Sequence, residues 1–186
     1  MEHKDSNKIL TGKLKKLAKS LSKHYTVKIG LLAGKGGEKK VSDNLDLAGL
    51  GAVQEYGAHI QVTQKMRNYF RHEFGINLKK STTEIVIPAR SWLYEPIKDP
   101  NFRKYILDWV GDEEVFKEYI DKDIMRELAR IIGEVGLMQI FKAFDDGGIN
   151  GEWQPNSALT IERKHSSKPL IDEGDLKRHV TFEIEG

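Results

Sequence analysis

The sequence predicts an α+β fold: a small antiparallel sheet packed with several helices, including a long helical stretch in the second half of the chain. Three observations lead there. Apolar residues recur at helical spacing through roughly half of the sequence, the segments that read as strands are few and far apart, and 186 residues is the length of one ordinary domain. Apolar residues make up 39% and glycine adds 17 more, which is globular composition.

The elements follow in chain order. Over Lys8–Lys23, Leu10, Leu14, Leu17 and Leu21 form one apolar stripe on a lysine-rich helix. Tyr25–Leu31 is rich in strand formers. Asp43 or Asn44 is placed to cap a helix that ends at Gly57. Thr63 caps the next helix, with Met66, Phe70 and Phe74 on one face and Gly75 just past its end, where a left-handed residue belongs. Glu84–Ile87 is a short apolar strand. Asp99-Pro100 is a helix start, a capping carboxylate followed by proline in the first turn. Phe102, Tyr105, Ile106, Trp109 and Val110 then keep helical period.

From Asp112 to about Phe144 the stripe continues through Phe116, Ile120, Ile124, Leu128, Ile131 and Val135. Gly133 and Gly136 each cost about 1 kcal/mol relative to alanine, so they mark a break or a close crossing. Asn156 and Ser157 are placed to cap a short helix around Thr160 and Ile161. Gly174 is a turn glycine that leads through Leu176 to a final strand, in which Val180, Phe182 and Ile184 alternate with polar residues. The whole reads as a single domain, 1–186. It has a basic amphipathic N-terminal helix over 1–24, an α+β body over 25–150, and a docking segment with the last strand over 151–186.

Composition excludes several classes of function. The chain has no cysteine, so it has no disulfide scaffold, thiolate zinc site or cysteine nucleophile, a usage that fits a reducing compartment. The longest apolar stretch, Ile131–Phe141, is interrupted by Glu134 and Gln139, and the start MEHKDSNK lacks the apolar core of a signal peptide, so no membrane association is expected. Thirty basic against 28 acidic residues leave only +2, which gives little global attraction to nucleic acid.

Motif by motif, catalytic chemistry finds no footing. Gly30–Lys35 resembles a phosphate loop but has three residues between its glycines where four are required, and Gly36 stands where the magnesium-binding hydroxyl belongs. It reads as a flexible loop. Leu47-Ala48-Gly49-Leu50 lacks the acidic residues of a homing endonuclease and reads as a small-residue packing face. His72-Glu73 lacks the second histidine of a zinc protease, Ile76 standing in its place. The six histidines show no ligand spacing. Asp172-Glu173-Gly174 is no aspartic protease signature, and Ser166 and Ser167 beside His165 form no triad. The expectation is a non-enzyme with no cofactor and no metal.

The strongest nucleic-acid pattern is Lys65–Lys80, where Lys65, Arg67 and Arg71 interleave with Met66, Tyr69, Phe70 and Phe74. The same spacing describes an ordinary amphipathic helix.

Three segments in order carry a resemblance: Glu55-Tyr56-Gly57; then Ile87-Pro88-Ala89-Arg90-Ser91-Trp92-Leu93; then Trp153 through Lys164, with Asn156, Thr160 and Ile161, followed by Pro169-Leu170-Ile171-Asp172-Glu173-Gly174-Asp175-Leu176. Together, over about residues 25–185, they resemble the phage virion morphogenesis family, the tail completion or neck proteins of Mu-like tailed phages and prophages. Members typically show E-[YF]-G, I-P-x-R-x-[FW]-L, N-x-x-T-I-x-x-K and P-L-[IV]-D-T-G-x-L. Ser91, His165 and Glu173 depart from the usual proline, glycine and threonine.

The resemblance implies a structural protein of the virion head–tail junction, assembled in the bacterial host cytoplasm. Its partners would be other copies of itself in a six-fold ring, further neck, connector or tail proteins, and packaged DNA in the channel. The alternatives are a tail terminator capping the tail tube, or a nucleic-acid-binding module using Lys65, Arg67 and Arg71. Candidate ring contacts are Arg90 with an exposed-looking Trp92-Leu93 pair, Trp153, and the Pro169-Leu170-Ile171 arm. On this reading Arg90→Glu or Trp92→Ala spares the monomer and blocks assembly.

Overall fold

The computed structural model describes residues 2–119 and 122–186. Among them the fold is α+β, with nine helices and three separate two-stranded antiparallel sheets in place of a single sheet. The order is α1 (Glu2–Leu21), β1 (Thr26–Gly30), β2 (Lys40–Ser42), β3 (Leu45–Asp46), α2 (Leu47–Tyr56), β4 (Ala58–Gln61), α3 (Gln64–Phe74) and β5 (Glu84–Ile87). The chain continues with α4 (Tyr94–Lys98), α5 (Pro100–Val110), α6 (Glu113–Tyr119), α7 (Ile124–Asp146), α8 (Ala158–Lys164), α9 (Asp175–His179) and β6 (Thr181–Glu185). Of the expected stripe positions, Ile120 lies outside the described residues, as do the side chains of Leu10 and Phe116.

The centre of the molecule is α7, which packs on β1 and β6 and against α1, α4 and α5. Its N-cap is Asp123, and Gly147 closes it with φ 78°, a left-handed residue donating to the Ala143 carbonyl. The two interior glycines do not break it, and Gly136 also faces Phe102 of α5, 3.7 Å from its Cβ position. They let it lie close on the β1–β6 ribbon. A Cβ on Gly133 would run into the Phe182 ring, and one on Gly136 would sit 2.5 Å from Ile29 Cδ1. β1 and β6 pair antiparallel from Thr26↔Glu185 to Gly30↔Thr181, so the last strand ties the end of the domain to its beginning.

Beside this ribbon lies the core cluster of Leu47, Trp92, Ile140, Ala143, Phe144, Trp153, Leu176 and Val180. Phe144 is its hub. The Trp92 and Trp153 rings lie 5.9 and 5.8 Å from the Phe144 ring, the second edge-on. Gly51 on α2 makes room for this packing, because a Cβ there would meet Leu31 at 2.6 Å and Trp92 at 3.1 Å. The small-residue face expected over Leu47–Leu50 thus continues to Gly51.

Two boundaries shift. Asp46, and not Asp43 or Asn44, caps α2, its side chain accepting from Gly49 N at 2.7 Å. Asp43 and Asn44 instead form the turn between β2 and β3, in which Ser42 pairs with Leu45. The long helical stretch from Asp112 divides into α6 and α7. The loop expected to be flexible, Gly30–Lys35, is held by backbone bonds, Lys35 N and Gly37 N both donating to Leu32 O, and Ala48 N and Leu47 N reach back to Gly37 O and Lys39 O just beyond it.

Residues 58–87 form an arm. β4 and β5 pair from Ala58↔Ile87 to Gln61↔Glu84, and α3 sits between them in sequence with no buried residue of its own.

Candidate interaction surface

The three motif segments meet through a relay of polar clasps, each built by a buried or half-buried side chain on main-chain groups. Glu55, in the last turn of α2 and 6% exposed, aims its carboxylate at the N-terminus of α4. Its Oε2 accepts from Trp92 N at 2.7 Å and Leu93 N at 2.9 Å, and its Oε1 accepts from Tyr94 N at 3.1 Å and Ser91 Oγ at 2.5 Å. A helix start leaves amide protons unpaired and carries partial positive charge, so a carboxylate satisfies both needs at once. α4 has no capping bond from its own N-cap side chain, and Glu55 supplies the function from a distant element.

Arg90 is the second clasp, also 6% exposed. Its Nε donates to Gln154 O at 2.9 Å, and one terminal nitrogen lies 3.3 Å from Pro155 O and 3.4 Å from Asn156 Oδ1. Burial lowers its pKa from the ordinary value, since the charged form is taken from water. A guanidinium stays protonated even so. The third clasp is Asn156, whose amide nitrogen donates to Ser167 O at 3.3 Å and Lys168 O at 3.1 Å. Glutamate, arginine and asparagine therefore hold segments 91–94, 154–156 and 167–168 in series.

These placements correct several expectations. Trp92 is 3% exposed and Trp153 is 7%, so both belong to the core and not to an outward-facing pair. Arg90 is a buried fastener. A substitution at Arg90 or Trp92 therefore acts on the folded chain itself, and the expectation that it spares the monomer does not hold. Leu93, Leu170 and Ile171 are half-buried and pack against the core cluster, and Pro169 is half-buried beside them. The segment from Trp153 to Leu176 is anchored in the core at both ends, with mostly exposed residues between. Among the nucleic-acid candidates, Arg67 donates to the carbonyls of Leu78, Lys79 and Thr82 and so holds the arm's loop in place. Arg71 donates to Asn77 Oδ1 at 3.1 Å, and Lys65 is exposed.

Between the arm and the clasped C-terminal segment runs an open groove of about 1330 Å³. Tyr69, Phe70 and Phe74 of α3 line one wall, packed on one another at centroid distances of 5.6–6.2 Å. Leu159 and Arg163 of α8 line the other, and Pro88 and Leu170 lie along it. This groove was not legible in the sequence, because it exists only where the arm faces α8. Among the described residues no set of three or more histidine, aspartate or glutamate side chains is arranged to hold a metal ion. No described helix is long and apolar enough to cross a membrane.

A second polar centre fastens α1. Asp123 accepts from Ser20 Oγ at 2.9 Å, from Tyr25 OH at 2.7 Å and from Lys23 Nζ. Hydrogen bonds from Lys23 and then Tyr25 hold its carboxyl well below the usual carboxylate range. Asp175, at the start of α9, is lowered to about 2 by hydrogen bonds from Lys39 and then Arg178. Comparison with known proteins finds no matching family model, no matching curated protein and no matching solved structure.

Proposed function

We propose that this chain is a non-enzymatic structural protein of the phage head–tail junction that repeats as a closed ring during virion assembly. The observation that supports the reading best is the clasp relay. The residues that carry the motif resemblance, Glu55, Arg90 and Asn156, are the ones that hold the three motif segments to one another. A motif of fasteners fits a protein that works by shape. His165 adds to this: it replaces the glycine common in the resembling family, and it sits at φ 52°, a backbone conformation that favours glycine.

In this reading the chain acts through complementary surfaces. Its partners are further copies of itself in a six-fold ring, the neck, connector or tail proteins above and below, and DNA in the channel. A terminator capping the tail tube is the neighbouring reading and uses the same surfaces. The nucleic-acid module is the weaker alternative, because Arg67 already donates to three carbonyls within the arm.

Electron microscopy of purified particles or tails tests the proposal. A symmetric ring of this chain at the head–tail junction is the expected result, and particles without it overturn the reading. Salt separates the module: phosphate binding weakens steeply, with log K falling about linearly in log salt, whereas an apolar ring contact changes little.

A further inference from the structure

We infer that α1 binds anionic lipid: the helix lies in the headgroup plane of a bilayer, its leucines turned into the acyl boundary and its lysines beside lipid phosphate. The inference goes beyond the ring reading and is independent of it.

α1 has little to pack on. From Thr11 to Leu21, Ser20 alone is buried and Leu17 alone is half-buried, and every other residue is exposed. The helix is fastened at one end, where Ser20 Oγ donates to Asp123 at 2.9 Å and lies 3.4 Å from Met125 N at the start of α7. Leu14 and Leu21 are left 57% and 55% exposed. A helix of 20 residues spans about 30 Å. Isolated helices are marginal in water and draw most of their stability from a covered apolar face. This one has such a face and no cover for it.

Its two sides differ in chemistry. At about 100° per residue, Leu14, Leu17 and Leu21 fall within about 60° of one another, and Lys15, Lys16 and Lys19 fall on the opposite side. Charge is one-sided too. Lys8–Lys23 holds six lysines and no acidic residue, Glu2 and Asp5 lying before it. The carboxylates at the start of α7 are answered within the fold, Asp123 by Lys23 and Glu127 by Arg130 at 3.0 Å. Lys15, Lys16 and Lys19 are exposed and form no ion pair among the described residues.

One kind of partner uses both sides. Duplex DNA takes phosphate contacts from the lysines alone and leaves Leu14 and Leu21 in water. Protein interfaces are anchored by Trp, Tyr and Arg, with leucine under-represented, whereas the described stripe is leucine throughout. A bilayer asks for no shape. It buries a leucine face about 5–10 Å deep while lysine heads stay at the phosphates. No spanning segment is required, so the lack of one among the described helices does not bear on this mode.

Flotation of the full-length protein tests the inference, with vesicles of equal parts phosphatidylcholine and phosphatidylglycerol set against phosphatidylcholine alone. Each lysine near an anionic surface contributes about five-fold in binding. The anionic vesicles should therefore bind at least about ten-fold more tightly. Lys15→Glu, Lys16→Glu and Lys19→Glu together should weaken this by on the order of a hundred-fold. Leu14→Ser with Leu21→Ser should weaken it strongly at unchanged charge. All of these positions are exposed, so thermal melts of the variants should stay close to the parent's. A second readout needs no loss of binding. The chain has no native cysteine, so a polarity-sensitive dye on Leu14→Cys should shift blue on anionic vesicles, and the same dye on Lys19→Cys should not. Absence of a preference for anionic vesicles, or equal shifts at both dye positions, overturns the inference. So does a DNA duplex of arbitrary sequence that binds more tightly than the vesicles and is indifferent to the leucine variants, which assigns the helix to nucleic acid instead. The ring is decided separately, by microscopy of the particles.

Discussion

A glutamate at 6% exposure must have its charge answered, and Glu55 meets three backbone amides and a serine hydroxyl. Glu55→Ala would leave those amides buried and unpaired, at about 1–3 kcal/mol each. We expect a loss of at least about 3 kcal/mol, seen as a lower urea midpoint with an unchanged slope, and a clearly smaller loss for Glu55→Gln. His165 works the other way. Relief of its left-handed backbone predicts that His165→Gly raises stability by about 1 kcal/mol, measured in the same titration. The two lowered aspartates predict an acid limb. A carboxyl whose folded pKa lies below its ordinary 3.8 stabilises fully above that value and loses the contribution as pH falls through the folded pKa. For Asp175 the window runs from about pH 4 to about 2. Thermal melts of Asp175→Asn should fall below the parent at neutral pH and converge with it at the acid end of that window, and those of Asp123→Asn should stay below the parent to still lower pH, because its carboxyl is lowered further.

At the scale of elements, local signals were legible and remote ones were not. α3 has the expected Thr63 cap and Gly75 stop, α5 starts at Asp99-Pro100, α8 is capped by Ser157, and β5 spans Glu84–Ile87 as its composition indicates. In each case the determinant lies within a few residues. β2 and β4 were missed because Lys-Val-Ser and Ala-His-Ile-Gln are short and mostly exposed, with no inward face to impose alternation. α4 was hidden by Pro96, tolerated because it falls in the first turn. Glu55 and Arg90 stood in the right motifs, but their partners lie 36–39 and 64–66 positions away, so no window on the sequence shows the clasps. The glycines of two helices make opposite predictions. Gly12 on α1 has open space around its Cβ position, whereas Gly133 faces the Phe182 ring. Gly12→Ala should gain about 1 kcal/mol from helix propensity. Gly133→Ala should lose about 1–3 kcal/mol through overpacking. Paired chemical denaturation curves read both signs.

For the molecule as a whole, the β1–β6 ribbon is the floor on which α7 rests. Deleting residues 179–186 removes β6 together with Val180, which is 4% exposed. Full burial of a large side chain such as Val180 contributes roughly 1.5–3 kcal/mol, half-buried Phe182 and Ile184 add a part of that each, and the sum is a large part of a domain's typical 5–15 kcal/mol or so. The truncated chain should therefore show no cooperative melt by calorimetry. A soluble, sharply melting product would refute the placement of β6.

The same ribbon also sets a clock. Lys28 of β1 and Glu185 of β6 are ion-paired across 157 positions of sequence. A ribosome adding about 5–20 residues per second needs on the order of 8–30 s to travel that distance. Throughout that interval the nascent chain carries β1 with no partner, and Gly133 of the emerging α7 has no Phe182 to close over. An open strand edge invites pairing with other chains. Synthesis order therefore makes this domain a late folder, exposed to misassociation until its final strand arrives, and its yield should depend on chaperone capacity more than its finished stability would indicate.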